Sequence, residues 1–342
     1  MTFGVILDPV FLEHHNPPGH PERPERIQSL IQALASYPGP ISRFDPRPIE
    51  EKWLLAVHSA EYVSRIRATR GLPEQDLDPD THTSPRSYDV ACLAAGSAVR
   101  LLELMREGRV EAAFSLARPP GHHATRTRAM GFCLFNNAAI AAQWAIEEKF
   151  ARRVAILDFD VHQGNGTQEI FWTRPDVLYL SSHQFPHYPG TGAFSEVGAG
   201  AGQGFTVNFP VPAGRDDAFF VRLYNDLAAP ILEQFKPDLI LVSAGYDTHE
   251  KDPLAGMKMT ADGFGAIAAV LCVAARTLCQ GRLLFLLEGG YDLKGLTEGV
   301  QATIDAVLGR RDFTKVLAKR SREFEAYRAK ATPYLRDYWK LA

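Results

Sequence analysis

The chain predicts an α/β fold: a single domain built on an open, mostly parallel sheet with helices on both faces. Short apolar runs rich in β-branched residues, among them Val154–Leu157, Asp238–Val242 and Leu283–Leu287, alternate with longer stretches of helical apolar spacing. The unusual polar clusters fall just past four such runs, after Leu116, Leu157, Val242 and Leu287. Ligands of open parallel sheets gather at the carboxyl ends of the strands. No linker or repeat is visible, so residues 1–342 read as one domain with a charged, helical tail over about 310–342.

Taken in order, Phe3–Leu7 reads as a strand. The segment His14–Arg26, HHNPPGHPERPER, reads as a loop leading into a helix near Ile27–Ala35. Its Pro/Gly setting places His14, His15 and His20 on the loop surface rather than around a metal. Glu61–Thr69 reads as a helix, Gly71–Pro85 as a loop, and Tyr88–Glu107 as a long helix with Ala91, Ala94, Ala95 and Ala98 on one side. Ala112–Leu116 is a strand and Ala138–Glu148 a helix. The strand Val177–Ser181 precedes a Gly/Pro-dense loop, His183–Gly204, and a further strand, Thr206–Phe209. Asp216–Gln234 and Ala261–Gln280 have helical spacing.

Composition narrows the function. At 46% hydrophobic and 23% charged residues the chain can build a large core, and a net charge of −3 gives no basic field for nucleic acid. Cys92, Cys133, Cys272 and Cys279 have no CxxC spacing, which points to free thiols in a reducing, cytoplasmic setting. The start, MTFGVILDPVFLEHH, has no signal-peptide pattern, and no apolar run reaches the roughly 20 residues needed to span a bilayer.

The centre of the chain is RVAILDFDVHQGNGT, Arg153–Thr167. A buried strand ends there in Asp158, Asp160 and His162, at alternate positions. Full extension would spread the three too far to share an ion, so a bend is expected after Asp158. Two carboxylates and an imidazole at the end of a buried strand are costly unless a divalent metal compensates them. An N-cap aspartate with a solvated histidine is the competing reading.

The motifs RPPGHHA, GFCLFNN, DFDVHQGNGTQ, PGTG, SAGYDTHEKDPLAG and LEGGYDL, in that order, resemble the histone deacetylase family, chiefly its class II branch and bacterial homologues. The resemblance spans roughly Phe3–Val307 and implies the arginase/deacetylase-like form of the predicted fold. It implies a catalytic Zn²⁺ held by Asp160, His162 and Asp247, with an open position for water and the substrate carbonyl. It casts His122 and His123 as the tandem histidines, His122 held by Asp158 and His123, the general base and acid, leaning on Asn165. Tyr291 becomes the donor to the oxyanion. Gly131, Phe132, Tyr188, Leu254 and Gly289 are assigned to a narrow substrate tunnel, Asp158, Ser181 and Ser182 to a structural K⁺ site, and Arg23 to a cavity for released acetate.

Two residues depart from the family pattern. Gln163 stands where a second histidine is usual, at a position that is not a ligand, and Tyr188 adds a hydroxyl to the tunnel wall. Cys133, beside the predicted channel, is a candidate redox-sensitive thiol. Leu254, in the DPL segment, lacks the glutamate with which one acetylpolyamine-cleaving branch meets its substrate's charge. The expected reaction is therefore hydrolysis of N-acyl-lysine in proteins or peptides. The alternative substrate is an acetylpolyamine or other small acylamine. A non-catalytic acyl-lysine binder is disfavoured by the intact catalytic set, and a two-metal ureohydrolase by the lack of a second DxHxD-type run. Neither nucleic acid nor membrane is an expected partner, and oligomerisation stays open.

Overall fold

The computed structural model describes residues 2–341. Strands β1 (Phe3–Ile6) and β2 (Ile41–Arg43) open the chain, and a small antiparallel hairpin, β3 (Gln75–Asp78) and β4 (Thr81–Thr83), stands apart. Strands β5 (Ala112–Ser115), β6 (Val154–Asp158), β7 (Val177–Gln184), β8 (Thr206–Val211), β9 (Leu239–Ala244) and β10 (Leu283–Leu287) complete an eight-stranded sheet. Its order is β2-β1-β5-β10-β9-β6-β7-β8, and every neighbouring pair is parallel.

Every residue of β5, β6, β9 and β10 is buried. Successive strand residues point to opposite faces, so both faces must be covered, and helices cover them. Ser87–Arg106 packs on Asn137–Glu147, and Ala261–Cys279 on Leu293–Leu308. The four central neighbours β5, β10, β9 and β6 are the strands whose carboxyl ends carry the polar clusters. Register holds those ends level: Asp158 pairs with Ser243, and Leu287 with Ala244.

Three expectations about these elements need correction. Gly71–Pro85 is not all loop, because the hairpin pairs Gln75 with Thr83 and Asp76 with His82. Strand β7 continues past Ser181 to Gln184, its end held by β8. The span Asp216–Gln234 is two helices, Asp217–Leu223 and Ala229–Phe235, joined by a wide π turn at Tyr224–Ala228. Pro230, with no N–H to donate, breaks the regular ladder there. The helix Leu293–Leu308, N-capped by Asp292, was not foreseen.

The tail folds back as helices Thr314–Leu317 and Arg322–Leu335. Phe324 packs on Phe219, and Trp339 Nε1 donates to the Gly204 carbonyl at 3.1 Å. By length and composition the 19-residue helix Ala261–Cys279 is long and apolar enough to cross a membrane, contrary to the reading above, but 67% of that window is buried within the fold. It is a core helix.

Candidate active site

The bend after β6 brings the alternate polar residues together. Asp158 closes the strand, and its Oδ1 accepts from the Asp160 amide at 3.1 Å, turning the chain where full extension would have separated the side chains. Asp247, three residues past β9, arrives from the neighbouring strand. Asp160, His162 and Asp247 each present a ligand atom, all within 4.8 Å of one another. His162 Nδ1 lies 3.1 Å from Asp160 Oδ1 and 3.2 Å from Asp247 Oδ2.

This cluster fits a divalent cation. Asp247 Oδ1 accepts from the Val161 amide at 2.8 Å, but its Oδ2 is buried without a hydrogen-bond partner. Burial, and then the charge of Asp160, push Asp247 up to about 7, as expected for two buried carboxylates facing each other without a cation. Carboxylate and imidazole donors in an open three-ligand set suit Zn²⁺. Close backbone approach completes the cradle. A Cβ on Gly245 would run into the Asp160 carboxylate, and one on Gly289 into that of Asp247, while the Gly289 amide donates to Asp160 Oδ2 at 2.8 Å.

The segment after β5 supplies the tandem histidines. His122 Nδ1 lies 3.0 Å from Asp158 Oδ2, and His123 Nδ1 lies 2.7 Å from Asn165 Oδ1. The two environments drive the imidazoles apart. Burial opposes charge on His122, but Asp158, Asp160 and Glu288 outweigh it and raise His122 to about 10. Burial, followed by the neighbouring His122 and His162, holds His123 well below the ordinary range. The carbonyl oxygen of Asn165 can only accept, so His123 carries its proton on Nδ1 and leaves Nε2 a free base.

A cavity of about 70 Å³ is lined by Asp80, His123, Gly131, Phe132, His162, Tyr188 and Tyr291. The Phe132 ring stands edge-on to Tyr291 at 5.9 Å, and the Tyr188 ring to His123 at 5.2 Å. Gly131 has φ 57° and packs directly on the His123 ring, where a Cβ would collide.

Several assignments change. Leu254 and Gly289 do not line this cavity: Leu254 offers its carbonyl to His187 Nε2 at 3.0 Å, and Gly289 backs the metal cradle. Arg23 is exposed. Arg26, one helical turn later, is fully buried, with its guanidinium 5.0 Å from the Tyr291 ring centre. His14 is buried, not a surface loop residue, and bonds Ser87 Oγ at 2.7 Å; His20 is half-buried against Phe132. Ser181 Oγ is bonded to His183 Nδ1 and Ser182 Oγ to Tyr224, both at 3.0 Å. All four cysteines are free and buried, and burial pushes the Cys133 thiol up, away from the thiolate form that redox chemistry uses.

Further carboxylates hold these catalytic segments in place. Glu288 accepts from the Gly121 and His122 amides at 2.7 and 3.1 Å, and Asp252 from the Tyr291 amide at 2.7 Å. Asp80 reaches the cavity from the hairpin, accepting from the Gly131 amide at 3.1 Å. Nothing in the local pattern of Asp80 marks it; only the unforeseen hairpin turn places it.

A family model, the histone deacetylase domain, matches residues 20–307. The chain belongs to the histone deacetylase family. It is 37% identical to a probable deacetylase of Archaeoglobus fulgidus, over 92% of this chain and 89% of the relative. A histone deacetylase-like amidohydrolase of Pseudomonas aeruginosa is 40% identical, over 80% of this chain and 73% of the relative. The crystal structure of the HDA15 HD domain superposes with a TM-score of 0.91 at 36% identity, covering 99% of this chain and 95% of that one. The protein is thus a deacetylase of a zinc-dependent family that hydrolyses acetyl amides. Gln163, its departure at the DVHQGNG motif, is buried and turned away from the ligands, with its amide nitrogen 2.9 Å from Gln168 and its oxygen 2.7 Å from Thr191.

Proposed function

We propose that this deacetylase removes acetyl or another short acyl group from lysine side chains in proteins or peptides. The observation that carries the reading is the narrow cavity, walled by Phe132 and Tyr188 and ending at His123, His162 and Tyr291. Aromatic walls suit the methylenes of an acylated aminoalkyl chain and leave the amide at the polar end. Leu254, in the DPL segment, carries no charge to hold a polyamine.

Asp160, His162 and Asp247 would hold the zinc ion, which when bound polarises the amide carbonyl and acidifies the attacking water. Neutral His123, with Nε2 free, takes the water's proton during attack and returns it to the leaving amine. His122 is held by Asp158, a carboxylate partner that favours its imidazolium, and in that form it adds positive charge beside the developing oxyanion. Tyr291 donates its hydroxyl to that oxyanion. A structural K⁺ near Asp158, Ser181 and Ser182 is part of the same reading, supported by the gathering of oxygens where β6 pairs with β7.

Comparing kcat/KM on acetyl-lysine peptides and on acetylputrescine tests the substrate. At least a tenfold preference for the peptide is expected; a preference for acetylputrescine would replace the lysine reading with the polyamine one.

A further inference from the structure

Two of the largest fully buried side chains are arginines, Arg26 and Arg118, and they meet on one carboxylate, Glu22. Arg118 grips Glu22 in a fork: its Nη2 donates to Oε2 at 2.6 Å and its Nε to Oε1. Arg26 Nη1 donates to the same Oε1 at 3.1 Å. Each arginine belongs to a different part of the site. Arg118 begins the Arg118-Pro119-Pro120-Gly121-His122-His123 stretch and is itself tied to the Phe11 and His14 carbonyls at 2.9 and 3.1 Å. Arg26 donates to the Gly290 carbonyl at 2.7 Å and to that of Glu288, the backbone leading into Tyr291, and lies against the Tyr291 ring.

We infer that Glu22 is a positioning residue, a strut that fixes Tyr291 relative to His122 and His123 by holding Arg26 and Arg118 together. The inference rests on the catalytic roles proposed above but concerns a residue that touches neither substrate nor metal ligands. Chemistry favours a strut over simple filler. Two buried guanidiniums need a counter-charge, and a bidentate carboxylate pair is among the most directional contacts available. Asn16 completes the carboxylate's shell at 3.0 Å. Burial, and then Arg118, hold His14 down at about 3, so His14 adds no further positive charge. Replacing Glu22 by glutamine keeps the shape but leaves the arginines repelling each other across an amide, and Arg26 is the one free to carry the Glu288–Tyr291 backbone with it.

A double-mutant cycle tests this on the zinc-loaded protein with an acetyl-lysine peptide. Glu22→Gln is expected to lower kcat about 10- to 100-fold with little change in KM. In a Tyr291→Phe background the same substitution should cost no more than about twofold, because the group it positions is gone. Glu22→Asp, which keeps the charge, should retain more kcat than Glu22→Gln, and it replaces Glu22→Gln in the cycle if that variant does not fold. Unchanged kcat, or equal losses in both backgrounds, overturns the strut while leaving the role of Tyr291 intact. A Tyr291→Phe enzyme with undiminished kcat would instead remove the proposed role of Tyr291, and the strut with it.

Discussion

Asp247 shows at the scale of one residue why this cluster calls for a cation: one carboxylate oxygen is satisfied by the Val161 amide, and the other, also buried, makes no hydrogen bond and faces only the fellow ligand His162 at 3.2 Å. An unpaired buried acceptor is expensive, and a nearby second carboxylate makes it more so. Gly289→Ala is therefore expected to push a methyl into Asp247 and lower zinc affinity by about 10- to 100-fold, read by competition with a chelating dye. Unaltered affinity would mean that the cradle does not depend on that close approach. Tyr291→Phe keeps the ring against Phe132 and Arg26 and removes only the donor. Its kcat should fall about 10²–10³-fold at unchanged zinc content, the usual effect of deleting one oxyanion donor.

Among the elements, the loops after β5, β6, β9 and β10 converge because their strands are neighbours in the sheet, and these same loops were legible in the sequence. Apolar runs gave the strands, and polar residues immediately after them gave the site. Contacts between distant loops were not legible. Arg23 and Arg26 differ by three positions in a Pro-rich stretch, and only the helix Glu25–Ala35 decides between them. Arg26, Leu30 and Leu34 follow at intervals of four and share its buried face, a signal that reading the segment as loop obscured.

His58 makes a similar long-range tie. Its Nδ1 donates to the Thr125 carbonyl at 2.8 Å, and its Nε2 accepts from the Asn136 amide at 3.0 Å, at the N-cap of helix Asn137–Glu147. Burial holds His58 down at about 4, so it folds neutral. Between about 6.5 and 4 the unfolded chain binds a proton that the folded chain does not, and stability falls as pH drops through that window. The loss approaches about 1.4 kcal/mol per pH unit for this one group. Melting temperatures measured from pH 7 to pH 4 should decline, and His58→Gln should flatten part of that slope. An identical slope in the variant would contradict the assignment.

For the whole molecule, the parallel sheet sets the frame and the ion is expected to stabilise it. Ligands from β6 and β9 come together only in the folded chain, so zinc binds the native state preferentially. At free zinc about 100 times its dissociation constant, stability should rise by about 2.7 kcal/mol, visible as a higher melting temperature, and Asp247→Asn should abolish most of the shift. The tail helices lie beyond residues 20–307, the span of the family match, yet Trp339 and Phe324 dock on the body, so the packed unit is larger than the motifs that mark it.

One titration decides whether a single zinc ion drives catalysis: chelate the protein to remove metal, add zinc back in known amounts, and follow hydrolysis of an acetyl-lysine peptide. Activity should be absent without metal and return in proportion to zinc, saturating at one ion per chain, with no recovery in Asp247→Asn. Turnover by the metal-free protein, or saturation only at two ions per chain, would contradict it.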